Sequence, residues 1–303
     1  MKIFVAGASG AVGNPLISRL IAEGHEVWGM TRTKERSHAI ADRGATPIIA
    51  DALDAASIFA GIKKSEPEVI VEMLTSLPKE YTPQAMRAAS EQDRKIRIEG
   101  GAHLQKAAQA VGCKRYIIQS SAFWYKPGRG LADEQTPFAF EASPGIVSGT
   151  KVYAHIEQRV LQAPYLEGVA LRFGFFYGSG TWYAPDGSMA HRVKSRDYPI
   201  VGGGRGIWNF IHIEDAADAI ALAIKGPPGV YNIVNDTPLK VSTWLPAYAR
   251  WLGAPTPLTR TMEEELFLSG PDSVYYATQL RGASNAKAKR ELQFNPRPLE
   301  WLI

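Results

Sequence analysis

Lys2-Ile-Phe-Val-Ala-Gly7-Ala-Ser-Gly10-Ala-Val-Gly13 is the stretch that decides the fold. Ile3 to Ala6 form a short apolar run of the kind that makes a fully buried parallel strand. Three glycines follow at three-residue spacing, and Val12, Leu16, Ile17, Leu20 and Ile21 then recur at helical spacing. Strand, glycine turn and helix in that order make a dinucleotide site. Gly7 permits the tight turn, Gly10 lets the backbone approach a pyrophosphate, and Gly13 lets the helix pack close to the strand. The helix start offers free N–H groups to phosphate, so Ser9, Ala11 and Val12 join the glycines as cofactor contacts.

Outward from this stretch, strands alternate with helical patterns, the signature of a doubly wound parallel sheet. Strands are expected at 3–6, 26–30, 46–49, 69–74, 115–120 and 169–173. Helices are expected at 12–23, 34–42, 55–62, 93–111 and 150–162. After Arg172 come long glycine- and aromatic-rich loops, a helix at 216–224 with Asp215 as its cap, and a strand at 230–234. The fold class is therefore α/β, with a small C-terminal substrate domain. Residues 1–172 and 208–235 form the dinucleotide-binding domain, and 173–207 with 236–303 form the substrate-binding one.

Composition excludes several classes. The 303 residues suffice for one large domain and a smaller one, and the net charge of +4 is scattered, so nucleic acid is not implied. Cys113 stands alone, which rules out an intrachain disulfide and a cysteine-based metal site, and the six histidines show no metal spacing. No apolar run approaches the ~18 residues of a membrane span. The expectation is a cytoplasmic protein with a small-molecule substrate, no nucleic-acid or membrane partner, and room for a homodimer.

The motifs resemble the short-chain dehydrogenase/reductase superfamily, in its extended and atypical branches of the NAD-dependent epimerase/dehydratase type. The resemblance covers nearly the whole chain. It rests on the glycine turn, Asp51, Gly112-Cys-Lys-Arg115 leading into Ser120-Ser121, Arg172, Tyr177-Gly178, Phe210-Ile-His-Ile-Glu-Asp215, Tyr231-Asn232, and Ser284 through Pro296. It implies a Rossmann-type sheet and a nicotinamide cofactor. It also implies that Asp51 and the adjacent Ala52 lie near the adenine, and that Leu74, Thr75, Ser120 and Phe173 line the cofactor.

Charge argues for NADP. An NAD site needs a carboxylate near the end of the second strand, whereas a 2′-phosphate needs cations. Here that strand ends Gly29-Met-Thr-Arg-Thr-Lys34, with Arg36 beyond and no acid before Glu35. Arg32 and Arg36 are the phosphate candidates, with Thr31 adding a hydroxyl.

The catalytic pattern departs from the resemblance. Members use a serine or threonine, a tyrosine, and a lysine four residues later, which lowers the tyrosine pKa. Ser121 matches the serine, but no tyrosine in this chain has a lysine four residues downstream. Register along 148–160 puts Gly149 in the tyrosine position and Tyr153 in the lysine position. Lys151 and His155 fall on the opposite helix face. Tyr153 and Ser121 are the catalytic candidates, and Tyr153 is expected to keep a pKa near 10, a proton donor rather than a base. Reduction is thereby favoured over alcohol oxidation.

Relatives acting on nucleotide sugars carry an asparagine and an arginine for the diphosphate where this chain has Phe175 and Trp208. With Trp124, Tyr125, Phe176, Trp182 and Tyr183, these rings imply an apolar cavity for a flat, apolar or aromatic substrate. His191, Arg192, Lys194 and Arg196 read either as a solvated helix face or as a seat for a substrate carboxylate, and Glu263-Glu-Glu265 reads as a solvated helix start. The expected activity is an NADPH-dependent reductase, or a related redox isomerase, with a non-standard proton donor. The alternative is a non-catalytic NADP-binding sensor or partner-binding protein.

Overall fold

The computed structural model describes residues 1–302. Its first half alternates β1 (Lys2–Ala6), α1 (Gly13–Ala22), β2 (Glu26–Thr31), α2 (Lys34–Ala41), β3 (Thr46–Ile49), α3 (Ala55–Ser65), β4 (Val69–Glu72), α4 (Pro83–Lys95), α5 (Gly101–Ala110), β5 (Arg115–Ser121), α6 (Pro144–Leu161) and β6 (Glu167–Phe173). The second half holds β7 (Phe175–Tyr177), α7 (Ser188–Lys194), β8 (Ile200–Val201), β9 (Ile207–Trp208), β10 (Phe210–His212), α8 (Ile213–Lys225) and β11 (Gly229–Ile233). It ends with β12 (Leu239–Lys240), α9 (Val241–Trp251), β13 (Thr259–Arg260), α10 (Met262–Ser269), α11 (Pro271–Thr278) and α12 (Ala286–Leu292).

Seven parallel strands form the central sheet in the order β11-β6-β5-β4-β1-β2-β3. The order reverses at β1, so the crevice beyond the carboxyl ends of β1 and β4 is the topological switch point. Alternation along β1 builds a core on each face. Ile3 and Val5 pack with Leu16, Ile17 and Ile220, while Phe4 and Ala6 pack with Ile62, Leu104 and Ile156. A third core joins aromatic residues of β7, β9, β10, α9 and α11, including Trp208, Trp244 and Tyr248, with Tyr183 from the loop after β7.

Several expectations change, among them the helix expected at 150–162, which begins at Pro144 with proline in its first turn. The helix expected from 93 begins at Pro83, because Thr82 caps it and proline suits the first turn. It is broken from α5 by one π-helical turn, Ile96–Gly100, which periodicity alone cannot detect. Asp215 does not cap α8. The His212 side chain accepts from Glu214 N at 3.2 Å instead, and Asp215 accepts from Arg297 N and Nε at 2.9 and 2.8 Å, tying down the C-terminal segment.

Candidate active site

A cleft of about 1110 Å³ opens at the switch point. Its floor is the glycine turn: Gly7, Ser9, Gly10, Ala11, Val12 and Gly13 all line it. Gly7 takes φ +94°, and a Cβ there would lie 2.6 Å from the Met73 carbonyl oxygen. A Cβ on Gly13 would lie 2.3 Å from the Gly7 oxygen, so only glycine lets α1 seat on the turn. Among the described residues no side chain caps the start of α1. Free N–H groups at that end therefore face a cleft with room for an anion.

Arg36, Thr75, Ser120 and Phe173 also belong to the cleft wall. Thr31, Arg32, Asp51, Ala52 and Leu74 do not. Thr31 is buried with a hydroxyl that finds no partner among the described residues, and Ala52 is buried beneath Gly100. Asp51 is exposed and accepts from Leu53 N at 2.9 Å. Arg32 is exposed one residue past β2. Arg43, unnoticed in the sequence, lines the cleft beside Arg36, and its Nη1 donates to the Ala39 carbonyl at 2.6 Å. Among the described residues none of these three arginines is in an ion pair.

Adjacent strand residues point to opposite faces, and of the two serines at the end of β5 it is Ser120 that meets the cleft. Its hydroxyl donates to Glu157, which also accepts from Arg172 Nε and Nη2 at 2.8 and 2.7 Å. Ser121 is 1% exposed and off the wall. Tyr153 lines the cleft from α6, while Lys151 and His155 are exposed on the other face. Burial raises the Tyr153 pKa above 10, with the Arg97 guanidinium opposing, which corrects the expectation of an unperturbed phenol. The direction strengthens its character as a donor.

The space above Gly149 belongs to Trp124. A Cβ on Gly149 would lie 2.3 and 2.4 Å from Cζ3 and Cη2 of the indole. The ring stands 5.5 Å from Tyr153, and its Nε1 donates to Tyr276 Oη at 3.0 Å. Tyr276, from α11, also lines the cleft, and burial holds its phenol well above 10. Phe123, Phe175, Phe176, Trp182 and Tyr183 complete the aromatic wall. Two expected wall residues lie behind it. Trp208 is fully buried as the base of a stack, 4.1 Å from Phe175, which lies 4.4 Å from Phe123. Tyr125 is fully buried and bonded to Asn232 and Arg172, away from the cleft. Glu265 is buried too, held by Arg260 and Ser273, so only Glu263 and Glu264 form a solvated helix start.

A family model for the NAD dependent epimerase/dehydratase family matches residues 3–234. The chain belongs to that family. A 3-diazoavenalumate denitrifying reductase of a Streptomyces species is 37% identical over 99% of this chain and 98% of its own length. A 4-hydroxy-2-methyl-3-oxo-4-farnesyl-3,4-dihydroquinoline-1-oxide ketoreductase of Stigmatella aurantiaca is 26% identical over 81% of this chain and 71% of its own. Among solved structures, a Thermus thermophilus UDP-glucose 4-epimerase in complex with NAD matches with a TM-score of 0.75 at 17% identity, covering 99% of this chain and 96% of that one. These relatives support a redox or epimerase/dehydratase role. No helix among the described residues is long and apolar enough to cross a membrane.

Within this epimerase/dehydratase chain, the sequence reading missed Arg43, Arg97, Phe123 and Tyr276 on the cleft wall. Arg43 lies in the turn after α2, beyond the helix that carries Arg36, so helical periodicity does not place it. Tyr276 lies 152 residues from Trp124 and 68 from Trp208, both of which donate to it, and no local pattern marks it.

Proposed function

We propose that this chain is an NADPH-dependent reductase of a flat, aromatic small molecule. The observation that carries the reading is the replacement at Gly149: an indole fills the space, and phenols without a neighbouring lysine face an aromatic cleft joined to the glycine turn. The residues suit the cofactor. The uncapped start of α1 suits a pyrophosphate, and Arg32, Arg36 and Arg43 supply unpaired cations for a 2′-phosphate. Asp51 and Ala52 would lie toward the adenine, with Leu74, Thr75, Ser120 and Phe173 toward the nicotinamide end.

When bound, NADPH supplies a hydride to an unsaturated carbon of the substrate. The chain then has to orient a ring and, where an oxygen gains charge, deliver one proton. Phe123 and Trp124 hold the ring by stacking, and Phe175 backs Phe123 from behind. Tyr153 gives the proton from a neutral phenol and is the donor. Ser120 is held by Glu157 and positions the wall, and the buried Ser121 contributes little. We assign 1–172 and 208–235 to cofactor binding and 173–207 with 236–303 to the substrate side.

The names of the two curated relatives describe reductions, one of a diazo compound with loss of nitrogen and one of a ketone. The test is to incubate the protein with NADPH and a panel containing 3-diazoavenalumate and aryl ketones, following loss of NADPH absorbance. Turnover of one class supports the reading. Tight NADPH binding with no turnover on any member would favour a sensor instead.

A further inference from the structure

Arg97 occupies the π-helical turn between α4 and α5, where single π turns often mark functional sites. It lines the cleft yet is only 3% exposed. Nε donates to Asp93 Oδ2 at 2.7 Å, and the guanidinium lies 5.1 Å from the centre of the Tyr153 ring. Neither Nη makes a hydrogen bond to a described residue, although guanidinium carries five N–H donors. Asp93 is itself held in place, because its other oxygen accepts from Ser76 N at 2.6 Å. The guanidinium is thus paired through Nε and leaves its Nη edge available to a ligand in the cleft.

The surroundings indicate which ligand. Lys79, Arg87 and Arg94 line the same side of the cleft, exposed and outside any ion pair among the described residues. Of the acids on the remaining wall, Glu265 is paired with Arg260, Asp272 accepts from Gly145 N at 3.1 Å, and Asp186 is exposed with no partner among the described residues. The Nη1–Nη2 edge of an arginine matches the two oxygens of a carboxylate. Tyr153 stands next to it, followed by Trp124 and then Tyr276, and these rings can receive an aromatic group.

We propose that Arg97 is the carboxylate anchor of this site, and that the substrate is an aromatic carboxylic acid. The proposal rests on the reductase reading for its cofactor, and the two can fail separately. The full chain is titrated calorimetrically with 4-hydroxycinnamate and with the neutral 4-hydroxycinnamamide, each with and without NADP⁺. The acid should bind about 30-fold tighter, the scale of one charged, bidentate contact. Arg97→Gln should bring acid and amide within about threefold, and Arg97→Lys should restore part of the gap, with NADP⁺ affinity unchanged in both. Equal binding of acid and amide by the unaltered protein overturns the anchor, and that comparison stands even if the variants fail to fold. Loss of NADP⁺ affinity in Arg97→Gln with the acid preference intact also overturns it, placing Arg97 on the cofactor. Absence of NADP⁺ binding by the unaltered protein instead defeats the reductase reading, while the acid–amide comparison is still read without cofactor.

Discussion

Gly149→Ala separates the site described here from an ordinary helix. In the middle of α6, alanine should favour the helix by about 1 kcal/mol over glycine. The new Cβ, however, falls 2.3 Å from Trp124 Cζ3. Carbon atoms sit comfortably at ~3.5 Å, so the indole must retreat by about 1 Å. That strains the packing by about 1–3 kcal/mol. It also disturbs the 3.0 Å bond from Trp124 Nε1 to Tyr276, worth about 1 kcal/mol. The strain outweighs the propensity, and the variant should be less stable by about 1–3 kcal/mol. With Trp124→Leu already present, the obstacle is gone and Gly149→Ala should stabilise by about 1 kcal/mol. Urea unfolding of the four proteins gives the coupling directly, provided the slopes agree. Stabilisation by Gly149→Ala in the otherwise unaltered protein would refute the claim that the indole fills this space.

Calorimetry should find NADPH at least tenfold tighter than NADH, with Arg32→Ala or Arg43→Ala closing most of that gap and leaving NADH binding alone; equal affinities at the outset would remove the 2′-phosphate assignment. Tyr153→Phe should lower kcat roughly 100-fold, the scale of one general acid, with NADPH affinity unchanged, while Ser121→Ala stays near the unaltered rate. Burial raises the Tyr153 pKa, so the protonated donor persists through neutral and mildly alkaline pH, and kcat for reduction should decline only above about pH 10. A basic limb near pH 7 that survives in Tyr153→Phe would assign the proton elsewhere. Glu157→Gln leaves the 6%-exposed Arg172 without its counter-charge and should cost about 3–5 kcal/mol in urea unfolding. A loss under 1 kcal/mol would mean that the pair is weakly coupled to the fold.

The sheet and the glycine turn were legible in the sequence because their signals are local. A strand alternates every two residues and a helix repeats every 3.6, so Ile3–Ala6 and Leu16–Ile21 declare themselves without reference to the rest of the chain. Gly7 and Gly13 read correctly for the same reason: the close contacts that require them lie within one strand–turn–helix unit and its neighbour Met73. The absence of a Tyr-x-x-x-Lys spacing is equally a property of the linear chain.

What fills the missing position was decided only in three dimensions. Trp124 and Tyr276 are separated by 152 residues and meet through α11, so their bond has no periodicity to announce it. Ser120 and Ser121 are chemically identical, and only the pleat of β5 assigns one to the cleft and the other to the core. Tyr125, Phe175 and Trp208 look alike as aromatic residues in a sequence, yet depth separates them: one faces the cleft, one supports it from behind, and one is consumed by Asn232 and Arg172. Composition and order along the chain determine which side chains are available. Packing of distant elements determines which of them keeps a polar edge or a ring face free, and that depends on every neighbour at once.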